Sequence, residues 1–418
     1  MNRHSPRVVG YVAAGVLVVI IGVAAAQVVP LGEMYAYADA DLTATVASTA
    51  PEKKQEPIKK VVHVPLPEAV RGIYMSQCAA SSATFREDFL HLFDTTELNT
   101  VVVDLKDYSG TVAFPSETAL SGDGCTVPDF EAFIQRLHEH GVYVIGRMTV
   151  FQDPLYSEHY PEQAVHRKSV TTTPWRDHKG LSFIDVGSKP FWEYITELSK
   201  EAVLLGVDEI NYDYIRYPSD GDMNDVYYTH TEGSHAEQLE KFFVTLTEAM
   251  RTPTPDGYVP KVSVDFFGMT ATNEDDLNIG QQLERALPYF DYVSPMVYPS
   301  HYPSGFHGYE NVNEHAYDIV NYSMTTAVER VQATSTPIGS FAFTPVASTS
   351  PRLYTKPRYD ANALRPWLQS FDYPVAYTPE MVREQIQATH DAGLTSWLFW
   401  DAGNHYYSLK QVLTPVSE

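Results

Sequence analysis

A closed (β/α)8 TIM barrel behind an N-terminal transmembrane or signal-anchor helix is the α/β fold this sequence predicts. Three observations predict it. Short aliphatic or aromatic runs alternate with helical patterns over most of the chain, as parallel βαβ units require. Eight such runs occur, and most close on a carboxylate, an amine, a guanidinium or an indole, as expected of strands whose C-terminal ends surround a site. No Gly-x-Gly-x-x-Gly or Walker loop follows the first run, which argues against an open nucleotide-binding sheet.

The expected strands are Gly72–Ser76, Val101–Lys106, Val142–Met148, one within Asp208–Pro218, then Lys261–Phe266, Tyr292–Tyr298, Leu364–Phe371 and Thr395–Asp401. They lack clean polar alternation, as strands buried on both faces do. Helical spacing appears at Phe85–Phe93, Asp129–Gly141, Ser188–Leu205, Ala236–Met250, Gln281–Leu287, Glu314–Val331 and Pro379–Ala392. Pro128 and Pro190 mark helix starts, and Gly141, Gly206 and Gly393 mark ends.

The N-terminus bears on the compartment. Arg3 and Arg7 precede nineteen uncharged residues, Val8–Ala26. A helix of that length spans roughly 28 Å, about the hydrocarbon thickness of a bilayer. The expected organisation is a basic cytoplasmic tail at 1–7, a span at 8–26, a flexible linker at 27–66 and a barrel domain at 67–418. The barrel is then extracytoplasmic on a single-pass membrane anchor. The rival is a secreted protein released by signal cleavage, for which Ala36-Tyr37-Ala38 offers a site.

Composition narrows the partners. The net charge of −24 repels a polyanion and no basic stripe appears, so nucleic acid is not expected. The 28 tyrosines exceed what a barrel core needs and suit a carbohydrate site, because rings stack on sugar faces. Cys78 and Cys125 follow the first and second strands at the same rim, and are candidates for a disulfide in an oxidising compartment. Two thiols cannot make a tetrahedral zinc site, and no metal-protease, redox or serine-hydrolase motif occurs, so no metal or cofactor is called for.

Asp208–Pro218 carries the chemistry. Glu209, Asn211 and Asp213 recur at period two and share one strand face, while Ile210, Tyr212 and Tyr214 take the other. Such a polar line is costly to bury unless it opens on a pocket or finds partners. Arg71-Gly72-Ile73-Tyr74, Val103-Asp104-Leu105-Lys106-Asp107, Ile145-Gly146-Arg147, the Tyr-Asp-Tyr-Ile-Arg-Tyr-Pro block at 212–218, Ser294–Pro299, Arg365–Phe371 and Trp400-Asp401 resemble one family. It is the glycoside-hydrolase-like family of bacterial envelope proteins, a barrel domain of unassigned function distantly similar to the α-amylase clan. The resemblance runs from about Val70 to Tyr407 and implies the fold far more than the activity.

Glycosidic cleavage needs one protonated carboxyl and one carboxylate. Asp213 is expected as nucleophile or base and Asp265, on the next strand, as general acid; Asp104 is the third candidate. Lys106 and Arg147 stand near to keep one acid ionised, and Asn211 and Arg216 flank Asp213. Tyr298, Trp367, Gln369 and Trp400 are expected to line sugar subsites, and Asp401 can enter from strand eight. An α-amylase-like enzyme presents Glu where this chain has Asp265, and the chitinase acidic run on strand four is reduced to Glu209 and Asp213. A non-catalytic glycan-binding barrel is therefore the alternative to a glycoside hydrolase acting on an envelope or extracellular polysaccharide. The Pro-, Ser- and Thr-rich insertion Thr336–Asn362 is expected to form a lid or an added subsite wall.

Overall fold

The computed structural model describes residues 60–415. Eight parallel strands close into a barrel in chain order: β1 Arg71–Met75, β2 Thr100–Lys106, β3 Tyr143–Thr149, β4 Glu209–Asp213, β5 Lys261–Phe267, β6 Tyr292–Met296, β7 Trp367–Gln369 and β8 Trp397–Trp400. Closure is by Arg71 against Trp397 and Ile73 against Phe399. The principal helices are α1 Ala83–Thr95, α2 Phe130–Glu139, α3 Lys189–Leu204, α4 His235–Met250, α5 Leu283–Ala286, α6 Ala316–Gln332 and α7 Pro379–Asp391. The expected span at 8–26 lies outside the described residues. Among those described, no helix is long and apolar enough to cross a membrane.

Period-two alternation sorts the strand side chains. Val101, Val103 and Leu105 join the large apolar layer between strands and helices, whereas Val102 faces the interior with Tyr74, Tyr143, Ile145, Trp367 and Leu398. Local signals start and stop the helices. Ser234 and Glu237 form a capping box on α4, Thr378 caps α7, and Gly141 at φ 71° turns the chain from α2 into β3.

Two expected elements shorten. Leu364–Phe371 is a continuous barrel strand only over Trp367–Gln369; β6 meets it at Met296 with Trp367 and, lower down, at an isolated parallel bridge of Val293 with Leu364. Pro295 and Pro366 supply no N–H there, so the seam cannot carry a full ladder. The helix expected at Gln281–Leu287 is the single turn α5.

The insertion does not form a lid. It runs from the end of α6 to the start of β7, a connection that belongs to the N-terminal face of a barrel, opposite the mouth. It folds as a small antiparallel patch, Ser335–Thr336 with Tyr354–Thr355 and Thr344–Pro345. Its bonds go to the outer layer: Ser340 and Phe341 to Glu240 on α4, and Lys356 to the Val331 carbonyl on α6. At the mouth, the connections 150–188 and 214–234 instead form a lobe around Val165, Trp175 and Phe183, against which Tyr214 packs.

Candidate active site

The polar line of β4 faces the barrel interior in layers. At the floor, Glu209 is ion-paired with Arg365 and accepts from the Tyr143 hydroxyl at 3.2 Å. One layer up, Asn211 Nδ2 donates to Ser263 Oγ at 3.1 Å and to Asp265 Oδ1 at 2.8 Å. At the top lies Asp213. Glu209 is thereby accounted for structurally, while the upper two layers converge on carboxylates.

Arg147 ties the top layer together. Its Nη1 donates to Asp104 Oδ1 at 2.6 Å, and its Nη2 and Nε donate to Asp213 Oδ2 at 2.5 and 3.1 Å. The Tyr74 hydroxyl donates to Asp104 Oδ2 at 2.5 Å. Burial raises Asp104 above the usual carboxylate range, against the opposing pull of Arg147 and Tyr74. The Arg147 guanidinium, although desolvated, is held well above its ordinary value by Asp213 and Asp104. Asp213 also accepts from the Tyr214 N–H at 2.6 Å, and Tyr214 sits at φ 48°, left-handed for a bulky aromatic residue.

Asp265 is set apart from this network. Tyr212 of β4 pairs with Val264 of β5, so the next residues, Asp213 and Asp265, are side by side across strands about 4.8 Å apart. Burial, then the neighbouring Asp213 charge, push the Asp265 carboxyl up to about 8. Both of its donors, Trp367 Nε1 at 2.8 Å and Asn211 Nδ2, reach Oδ1, so the proton of the acid form sits on Oδ2.

The wall is aromatic. Trp400 stacks on Tyr74 at 3.8 Å and carries the Arg147 guanidinium 4.8 Å from its centroid. Tyr298 is edge-on to His301 and Phe371, and burial with the Asp265 and Asp213 charges raises its hydroxyl well above the ordinary value. Asp104, Asp213 and Asp265 are 2, 5 and 1% exposed, and Tyr214, Met296, Phe371 and Trp400 are half-buried above them. A groove of about 930 Å³ lies elsewhere, on the outer face between α3 and α4; its lining includes none of these acids.

Five of the residues expected to tune the acids or to meet substrate are engaged by the protein itself. Lys106 Nζ pairs with Asp153 at 2.9 Å and donates to the Thr149 carbonyl at 2.6 Å, because a register shift at Asp104/Lys106 turns it away from the acids. Gln369 accepts from Ser300 N and Oγ and donates to the Phe371 and Tyr373 carbonyls, stitching two loops. Asp401 accepts the N–H groups of Gly403, His405 and Tyr406, the role of a turn builder. Arg216 donates to the Tyr217 carbonyl and Ser219 Oγ and lies 5.0 Å from the Tyr214 ring centre. Trp367, 1% exposed, holds Asp265 and offers no open stacking face. Tyr74 was the residue missed, although the alternation of Arg71-Gly72-Ile73-Tyr74 puts it near the end of β1. Cys78 and Cys125 are joined by a disulfide at the rim. No group of metal-ligating side chains occurs among the described residues.

A family model described as "putative glycosyl hydrolase domain" matches residues 72–406, which include every strand of the barrel after its first residue. The chain belongs to that family. No curated protein matches it. A hypothetical protein from Ruminiclostridium thermocellum is 27% identical over 50% of this chain and 98% of its own, at a TM-score of 0.41. The PgaB (BpsB) glycoside hydrolase domain of Bordetella bronchiseptica is 11% identical, with a TM-score of 0.56 over 84% of this chain and 100% of that one. Alpha-L-fucosidase isoenzyme 2 of Paenibacillus thiaminolyticus is 13% identical, with a TM-score of 0.51 over 82% of this chain and 48% of that one. This chain thus spans about half of the fucosidase, and at such identities the last two likenesses speak for the barrel fold alone.

Proposed function

We propose that the protein hydrolyses a glycosidic bond in an envelope or extracellular polysaccharide, with Asp265 as general acid and Asp213 as the carboxylate partner. The observation that carries this reading is the contrast between two neighbouring acids. Asp265 keeps its proton to about pH 8, while Asp213 is ion-paired with Arg147. In the first step the Oδ2 proton of Asp265 passes to the glycosidic oxygen as the C–O bond breaks, and an Asp213 oxygen bonds to the anomeric carbon. Water then attacks that carbon, giving its proton to the Asp265 carboxylate and releasing Asp213. Neighbouring strand positions suit the roughly 5 Å separation of a retaining pair. Asp104 and Tyr74 hold Arg147 in place and touch no reacting atom in this scheme.

The rim disulfide supports a barrel in an oxidising, extracytoplasmic compartment, and the apolar run at 8–26 supports its attachment to the membrane. The non-catalytic reading draws on the three N–H donors already on Asp213, which a binding module tolerates as readily as an enzyme. Incubation with peptidoglycan, α-glucan and exopolysaccharide, read by reducing ends and by NMR of the first-formed anomer, separates the two. Turnover with retained configuration, lost by roughly 10³-fold in Asp213→Asn at an unchanged melting temperature, supports the proposal. Retention of a glycan without cleavage at any pH transfers the assignment to a binding module.

A further inference from the structure

The turn after β8 uses its strain to present aromatic rings. Asn404 and Tyr406 both adopt left-handed backbone, φ 58° and 54°, and the Asp401 carboxylate gathers three N–H groups inside the turn. The inward residues pin it to the end of β1. Asn404 Nδ2 donates to the Tyr74 carbonyl at 3.1 Å, its Oδ1 accepts from Ser76, and the Tyr406 hydroxyl donates to the same Tyr74 carbonyl at 2.5 Å. Tyr406 is 1% exposed and sits edge-on to Phe89.

The outward residues do the opposite. His405 and Tyr407 lie parallel, 5.1 Å apart with planes 16° from one another, and Tyr407 is 71% exposed. A ring that large, open to water, gains nothing for the fold. It is nonetheless held on a loop pinned to the end of β1. The same Tyr74 that anchors the turn carries Trp400 on its ring and Asp104 on its hydroxyl, so the turn that bears the pair is joined to the acid site.

Resting on the glycosidase reading, we propose that Tyr407, backed by His405, is a preformed stacking platform for a sugar unit of a polysaccharide chain, beyond the two units at the bond being cleaved. A planar aromatic face with a polar tip matches the apolar face and hydroxyl rim of a pyranose. A rigid loop also avoids the ordering cost of binding a flexible chain. The protein is on this account directed to polymers and not to free disaccharides or monosaccharide glycosides.

The test compares wild type, Tyr407→Ala, His405→Ala and Tyr407→Trp on two probes. One is affinity electrophoresis through gels holding soluble α-glucan, exopolysaccharide or peptidoglycan fragments; the other is initial rate on p-nitrophenyl glycosides. Tyr407→Ala is expected to weaken polymer retention about tenfold and to raise KM on the polymer to match, and Tyr407→Trp to restore both. The loss is expected to be confined to polymers. Tyr407→Ala retained on the polymer as strongly as wild type overturns the platform and leaves the glycosidase reading standing. An equal loss on the small glycosides also overturns the platform, since it makes Tyr407 part of the acid site. A wild type that neither retains nor cleaves any glycan overturns the glycosidase reading, and the platform with it.

Discussion

Trp367→Phe removes one of the two N–H donors on Asp265 and keeps an aromatic ring in its place. The donor stabilises the ionised carboxyl more than the neutral one, so its loss raises the Asp265 pKa. A hydrogen bond to a charged group contributes about 1.5–3 kcal/mol, and one pH unit corresponds to about 1.36 kcal/mol. Asp265 is 1% exposed, so solvent does not replace the lost donor, while Asn211 stays bonded to the same oxygen and takes up part of the loss. The expected shift is about one unit. The alkaline limb of kcat/KM against pH, which reports the free enzyme, is thus expected to move up by about one unit from near 8, with the acid limb unmoved. Removing the indole also opens a small cavity, at about 1–3 kcal/mol of stability, which a thermal melt reads separately. A limb that stays put, or moves to lower pH, refutes the assignment of Asp265 as the acid held by Trp367. A sugar-stacking role for Trp367 predicts a rise in KM with no change in the profile.

Asp265→Asn tests the same group through stability. A carboxyl near 8 in the fold and near 3.9 unfolded is favourable while protonated; that contribution is lost as pH rises from about 4 through 8. The variant is therefore expected to melt higher than wild type at pH 9 and similarly at pH 4, with at most about 6 kcal/mol at stake. Arg147→Met leaves Asp104 and Asp213 buried without their counter-ion, and equilibrium unfolding should show a loss of about 3–5 kcal/mol. Cys78→Ser opens a loop of 47 residues, for which chain entropy gives about 4 kcal/mol; urea unfolding of the oxidised wild type against the variant reads it, and a difference below about 1 kcal/mol contradicts the entropic account.

Much of this architecture is legible along the chain, because strand and helix periodicity, prolines, glycines and caps are local signals. The alternation of Glu209, Asn211 and Asp213 set their common face before any fold was known, and sequence order alone made β4 and β5, hence Asp213 and Asp265, neighbours. The place of the 336–362 insertion was also legible, since a segment that follows a helix and precedes a strand belongs to the floor. Partner choice was not legible. Arg147 reaches Asp104 and Asp213 across 43 and 66 residues, and Trp367 reaches Asp265 across 102. Lys106 and Gln369 carry the same chemistry as the acids' true partners, and Asp401 that of the acids themselves, yet a bulge, two loop carbonyls and a strained turn consume them first. What a polar side chain does depends on which donor closes on it once the barrel closes. That depends on distances across strands, so only the tertiary structure decided which donors meet these carboxyls.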